Sequence, residues 1–125
     1  MRLQDVTRLV LDGRYAAQLA SKVPGIVDPF QVAANGSHTF YATDILVEHV
    51  EVRNAALGAP VLLVLSTDFG NRSRYNGEPL WVTLAMLGYP TADAVTAWCQ
   101  AQLPQLSGEA LRNRCLPRRM DPPRG

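Results

Sequence analysis

The spacing of apolar and polar residues predicts the helices and strands of this chain. In residues 14–23, apolar side chains recur at every fourth position and Pro24 follows, which predicts a helix that ends before the proline. Residues 3–11 are ambiguous. Their spacing fits a helix, but the apolar run before Asp12–Gly13 also fits a strand that ends at a turn.

Two strands are predicted in the middle of the chain. Residues Ile45–Arg53 include β-branched residues that alternate with polar ones, which favours a strand, with a helix capped by Thr43 as the alternative. Val61–Leu65 is short and wholly apolar, as expected of a central strand buried on both faces. Because the connection Asn54–Pro60 is short, we expect the two strands to be antiparallel neighbours.

Start and stop signals predict three helices towards the C-terminus. The first covers about residues 79–88, between a proline suited to the first helical position and a glycine suited to the end. The second is capped by Thr91 and runs to about Leu103. The third is capped by Ser107 and covers residues 108–116.

These elements predict an α+β fold, in which helices pack on a small antiparallel sheet and about three helices form a C-terminal group. A length of 125 residues fits a single domain. We expect residues 1–116 to form that domain. Residues 117–125 are expected to be a basic tail, rich in proline and arginine, with no structure of its own.

Composition indicates a folded protein with an uneven charge. A hydrophobic share of 47% and a charged share of 18% are typical of globular chains, and the low charged share hints that a partner covers part of the surface. Residues 1–70 hold five basic and seven acidic groups, whereas residues 71–125 hold seven basic and four acidic groups. Positive charge is therefore concentrated in the C-terminal part.

Cysteine usage and hydropathy bear on the compartment. Cys99 and Cys115 are too few for a disulfide scaffold or a zinc knuckle, and the N-terminus has no unbroken apolar stretch typical of a signal peptide. The longest apolar runs are far short of the roughly 20 residues that span a bilayer. We expect a cytoplasmic protein with both cysteines reduced and no contact with a membrane.

Two arginine-bearing segments are the candidate binding site. The stretch 66–77 follows the predicted buried strand and is poor in apolar residues, so its side chains are free to bind an anion or another chain. The tail adds a second basic cluster. The candidate partner-binding residues are Asn71, Arg72, Arg74, Tyr75, Asn76, Arg118 and Arg119.

A group of acidic and histidine residues is a candidate metal site. Carboxylates and imidazoles are the ligands that divalent metals require. The spacings HExxH, HxH and DxD are absent, so the solvated face of an edge strand is the favoured interpretation. The group consists of His38, Asp44, Glu48, His49, Glu51 and Asp68.

A short stretch resembles the helix-turn-helix of insertion-sequence transposases. The resemblance rests on the Leu-Gly-Tyr-Pro-Thr sequence of residues 87–91, followed by Val95 and Trp98. It implies a DNA-binding pair of helices within residues 80–103, the second of which would read the bases. Because no lysine or arginine lies between Tyr75 and Leu111, two core helices joined by a turn are the favoured alternative.

The leading functional hypothesis is a non-enzymatic protein-binding or assembly subunit that contacts partner chains through the arginine-rich loop and the basic tail. The partner is expected to be another protein or a further copy of this chain. The first alternative is a nucleic-acid-binding module that uses residues 80–103 or the tail. The second is a small metal-dependent hydrolase or nuclease. The sequence has neither a phosphate-binding nor a dinucleotide-binding glycine motif, and we expect no cofactor.

Overall fold

The computed structural model describes residues 2–55 and 58–124. Its helices are α1 (Arg2–Val6), α2 (Ala42–Asn54), α3 (Ala92–Gln102) and α4 (Gly108–Arg114). The strands of the main sheet are β1 (Tyr15–Lys22), β4 (Val61–Leu65), β7 (Trp81–Tyr89) and β8 (Leu116–Arg119). Two short ribbons are formed by β2 (Ile26–Val27) with β3 (Thr39–Phe40) and by β5 (Arg74–Tyr75) with β6 (Glu78–Pro79).

The main sheet is antiparallel and has the strand order β4-β7-β1-β8. The α+β fold is therefore confirmed. The predicted C-terminal group of three helices is wrong, because within the described residues two helices, α3 and α4, follow β7 and lead into β8. The helix capped by Thr91 is confirmed as α3, and the Thr91 hydroxyl accepts a hydrogen bond from the Ala94 N–H at 3.2 Å.

Residues 14–23 and 79–88 were predicted as helices, and this is wrong, because they form the two central strands β1 and β7. Adjacent residues of β1, Ala16 and Ala17, are both fully buried, since the sheet is covered on both faces. Burial on both faces removes the alternation of apolar and polar residues that reveals a strand. An alanine-rich stretch without that alternation resembles a helix.

The strand predicted at Ile45–Arg53 is also wrong. The segment is helical, as in the alternative, but the helix begins at Ala42 with Tyr41 and not Thr43 as its N-cap. The Asp44 carboxylate accepts a hydrogen bond from the Tyr41 N–H at 2.9 Å and so stabilises the first turn of α2. Val61–Leu65 is confirmed as a strand, but it lies at an edge of the sheet and not at its centre, and its neighbour is β7 and not the preceding segment.

Two apolar clusters lie on opposite faces of the sheet, because neighbouring residues of a strand point to opposite sides. The Phe69 cluster comprises Ala16, Leu62, Val64, Phe69, Val82, Leu84 and Met120. The Cys99 cluster comprises Ala17, Ala85, Val95, Cys99, Leu111 and Cys115. Helices α3 and α4 cover the second face, and His49 of α2 reaches the same face by its hydrogen bond to Thr83.

Side chains close the outer edge of β4. The buried Asp5 carboxylate accepts a hydrogen bond from the Leu63 N–H at 2.8 Å and pairs with Arg53 at 3.1 Å. The Asp68 carboxylate accepts from the Leu65 N–H at 2.8 Å. Main-chain donors at the edge of the sheet are thus satisfied by carboxylates of the same chain.

Cys99 and Cys115 form a disulfide, so the expectation that both cysteines are reduced is wrong. Their Cα atoms lie 5.6 Å apart, within the range for a disulfide, because α4 turns the chain back against α3 before Cys115. In the described part of the chain, no helix has the length and apolar character needed to cross a bilayer.

Candidate functional site

The arginine-bearing loop is a small hairpin with an anchored base. The Ser66 hydroxyl accepts a hydrogen bond from the Leu80 N–H at 2.8 Å and donates one to the Ser73 carbonyl. Beyond this base, β5 and β6 form a two-stranded ribbon. Asn76 at its turn has a φ of 49°, in the left-handed region that asparagine tolerates better than most residues. The side chains of Arg74, Tyr75 and Asn76 on this hairpin are exposed to solvent.

The C-terminal segment lies directly against this loop. The Gly70 N–H donates to the Asp121 carbonyl at 2.9 Å, and the Arg124 N–H donates to the Gly70 carbonyl at 2.8 Å. The Arg118 guanidinium lies over the Phe69 ring, 5.3 Å from its centroid. Two segments that are separate in the sequence thus form one continuous surface. Residues 117–119, which were expected to belong to a tail without structure of its own, form the edge strand β8 together with Leu116, beside β1.

We call the side chains of residues 71–78 and 118–124 the arginine surface. The predicted residues Asn71, Arg72, Arg74, Tyr75, Asn76 and Arg119 are exposed there, and Arg118 is half-buried. The surface holds five arginines and two carboxylates, for a net charge of +3. Asp121 pairs with Arg119 at 3.1 Å and with Arg124 at 2.9 Å. The guanidinium groups of Arg72 and Arg74 pair with no carboxylate among residues 2–55 and 58–124.

Asp44, Glu48 and Glu51 of α2 line one cleft, but the six acidic and histidine residues do not converge on one point. His38 bonds through Nδ1 to the Gln31 carbonyl, whereas Asp68 binds Arg2 at 2.7 Å. The Asp44 carboxylate accepts hydrogen bonds from Asn35 and from the N–H of Tyr41, the N-cap residue of α2. These hydrogen bonds, of which that from Tyr41 is the largest cause, lower the pKa of Asp44. Over the residues that the structure describes, no three His, Cys, Asp or Glu side chains converge as a metal site requires.

His49 is fully buried beneath α2. Its Nδ1 lies 2.9 Å from the Thr83 hydroxyl, and its Nε2 has no hydrogen-bond partner. Burial, and then the positive charge of Arg53, lower the pKa of His49 to about 4. The imidazole is therefore neutral at physiological pH and acts as a core side chain.

The segment that resembles a transposase helix-turn-helix has a different structure. Residues 81–89 form β7 at the centre of the sheet, so the first helix of the motif is absent. Trp98 and Val95 instead pack α3 against the Cys99 cluster. The interpretation of residues 80–103 as a DNA-binding pair of helices is therefore wrong.

The structure reveals a cleft that the sequence did not indicate. It has a volume of about 450 Å³, within the range of small-molecule sites, and lies between α2 and the α3–α4 pair. Phe30, Val32 and Val47 line it and are 50%, 65% and 37% exposed. The available signal was the pair of apolar residues at 30 and 32 in a segment without a predicted element. Leu19, the extra residue of a bulge in β1, also faces the cleft.

A buried ion pair lies at one side of the cleft. The Lys22 ammonium donates to both carboxylate oxygens of Glu48, at 2.8 and 3.0 Å, and lies 4.5 Å from the centroid of the Phe40 ring. Glu48 lines the cleft, while Lys22 is only 3% exposed. The negative charge of Glu48 is thus neutralised by the buried ammonium of Lys22. Glu51 also lines the cleft, and its side chain is exposed.

Comparisons with known proteins found no match, whether with protein-family models, with curated proteins or with solved structures.

Proposed function

We propose that this chain is a non-enzymatic binding or assembly subunit that contacts an acidic protein partner through the arginine surface. One observation carries the proposal. Gly70 and the tail are joined by two main-chain hydrogen bonds, which hold the hairpin and the C-terminal arginines as one exposed patch. Arginine and tyrosine are enriched at the energetic centres of protein interfaces, and both are exposed on this patch.

A protein partner is favoured over a nucleic acid. Phosphate contacts dominate the affinity of nucleic-acid-binding proteins, and each requires a cation that is free to bind. Of the arginines on the surface, Arg119 and Arg124 already pair with Asp121. The remaining cations suit a few carboxylates, which the planar guanidinium binds with two hydrogen bonds.

The cellular location of the chain is a second part of the proposal. A cytoplasmic location remains a prediction, and the Cys99–Cys115 disulfide instead favours an oxidising compartment, because disulfides rarely persist in a reducing cytosol. Alkylation of free thiols in freshly lysed cells, followed by mass spectrometry, distinguishes the two. Unmodified cysteines support the oxidising compartment, whereas complete modification supports the cytoplasm.

Fluorescence anisotropy tests the binding surface. The probes are a fluorescein-labelled polyglutamate peptide and a labelled DNA duplex of random sequence, each titrated at low and high salt. The Arg72→Gln/Arg74→Gln variant should bind polyglutamate about tenfold more weakly than the unaltered chain, since exposed ion pairs contribute about 0–1 kcal/mol each. Arg8→Gln/Arg112→Gln removes two exposed arginines outside the surface and should bind normally.

Three results would contradict the proposal. The first is that neither probe binds. The second is that both double variants lose affinity equally, which would mean that binding follows overall charge. The third is tighter binding of DNA than of polyglutamate with the same dependence on Arg72 and Arg74, which would favour the nucleic-acid alternative.

A further inference from the structure

The cleft and the hairpin of the arginine surface have complementary shapes. The cleft is a concave trough between helices, and Phe30, Val32 and Val47 leave apolar area exposed along it. The β5–β6 hairpin is a convex ribbon that carries Arg74 and Tyr75, and Tyr75 is 48% exposed. An exposed aromatic ring on a projecting turn is the kind of group that fills an apolar trough.

The two surfaces also carry opposite charges. Asp44, Glu48 and Glu51 line the cleft with Arg114, and with Lys22 beneath Glu48 the group has a net charge of −1. Among the described residues, Glu51 of the cleft has no ion-pair partner. Arg72 and Arg74 of the hairpin have none either among these residues. Opposite charges on facing surfaces favour encounter and fix orientation.

The two surfaces lie on opposite faces of the sheet. Phe69 and Met120, which support the arginine surface, belong to one apolar cluster. Leu19 and Cys115, which line the cleft, pack with the other cluster. In the structure no residue of the hairpin lines the cleft of its own chain, so one copy can use both surfaces at once.

We infer that the hairpin of one copy docks into the cleft of a second copy, with Tyr75 against the apolar lining and Arg72 or Arg74 beside Glu51. This inference rests on the proposed function, because it names the partner of the arginine surface. The contact joins two different surfaces, so it leaves a free hairpin at one end and a free cleft at the other. Such head-to-tail contacts build chains of copies unless a rotation closes them into a ring.

Sedimentation velocity over a range of concentrations tests the contact. The unaltered chain should form dimers and then larger species as its concentration rises. A hairpin variant, Arg74→Gln/Tyr75→Ser, and a cleft variant, Phe30→Ser/Glu51→Arg, should each associate at least about tenfold more weakly. All four side chains are exposed, so both variants should keep the far-ultraviolet circular dichroism and the urea midpoint of the unaltered chain.

Mixing the two variants gives the sharpest test. The cleft variant keeps an intact hairpin and the hairpin variant keeps an intact cleft, so an equimolar mixture should form a heterodimer and nothing larger. A control variant, Leu3→Ser/Glu109→Arg, alters matched exposed residues outside both surfaces and should assemble normally.

The result that overturns the inference is a monomeric unaltered chain at every concentration, or a mixture that remains monomeric although the unaltered chain associates. If the unaltered chain is monomeric while Arg72→Gln/Arg74→Gln still loses polyglutamate binding, the inference fails and the proposed function stands. If that variant keeps its affinity for polyglutamate and the hairpin variant keeps its self-association, both fail.

Discussion

Several polar residues of this chain are buried, and each has a partner that explains its place. Asp5 bonds to the edge of β4, and Lys22 is neutralised by Glu48 and covered by Phe40. His49 differs, because Thr83 satisfies Nδ1 while Nε2 remains without a partner. A buried imidazole with one unsatisfied nitrogen has a neutral native form and makes folding sensitive to acid.

We predict that the chain loses stability as the pH falls from 6.5 towards 4. An unfolded histidine takes up a proton near pH 6.5, whereas burial lowers the pKa of His49 in the folded state to about 4. Between these values the unfolded state binds more protons, so the contribution of His49 is complete above pH 6.5 and is lost progressively below it. The full loss is about 3 kcal/mol. Urea unfolding at intervals between pH 7 and pH 4.5 measures it.

The His49→Gln variant separates this effect from other titrations. It should be less stable than the unaltered chain at pH 7, and its free energy of unfolding should vary much less between pH 6.5 and 4.5. Asp44, whose pKa is lowered, acts only at more acidic pH. The exposed His38 offers a matched control, since His38→Gln should keep the dependence. An unchanged slope in His49→Gln would show that another group causes it.

At the scale of elements, local signals predicted those parts of the fold that depend on local physics. The Thr91 cap was sufficient to predict α3, and the uniformly apolar run Val61–Leu65 was sufficient to predict a strand. A cap and a buried strand are each specified within a few residues. Residues 14–23 were mistaken for a helix, because the burial of β1 on both faces depends on segments far away in the sequence. Tertiary packing overrode the local pattern there.

We predict that β8 is required for stability, although residues 117–125 were expected to lack structure of their own. β8 pairs with β1, and Met120 is 1% exposed within the Phe69 cluster. A chain that ends at residue 116 loses both and should be strongly destabilised, and Met120→Ala alone should cost about 2–5 kcal/mol. Urea unfolding gives the comparison. A chain that ends at residue 121 keeps the strand and should retain most of the stability. If the chain that ends at residue 116 were as stable as the unaltered chain, a structural role of β8 would be refuted.

At the scale of the whole molecule, the sequence named the residues of the arginine surface but not their arrangement. Arg118 and Phe69 are close only because Phe69 packs with Met120 on one face of the sheet, although β4 and β8 are its opposite edges. The cleft was missed for the same reason, since α2 and α3 are far apart in the sequence. The disulfide was missed because the distance between its cysteines depends on the turn between α3 and α4.

We predict that the disulfide stabilises the chain by restricting its unfolded state. The cysteines are 16 residues apart, and closing a loop of this length contributes about 3 kcal/mol. Adding a thiol reductant should therefore lower the urea midpoint of the unaltered chain. The Cys99→Ser/Cys115→Ser variant should unfold at a similarly low midpoint and ignore the reductant. A midpoint that the reductant leaves unchanged, with both thiols shown to be free, would contradict the prediction.

The closed edge of β4 has a consequence for aggregation. Val61–Leu65 is a run of five aliphatic residues without charge, which is the composition of segments that stack into amyloid-like fibrils when a strand edge is open. The carboxylates of Asp5 and Asp68 occupy the main-chain donors that an incoming strand would use. They therefore act as gatekeepers, and a copy that lost its first helix to a protease would lose Asp5 and expose the Leu63 N–H to an incoming strand.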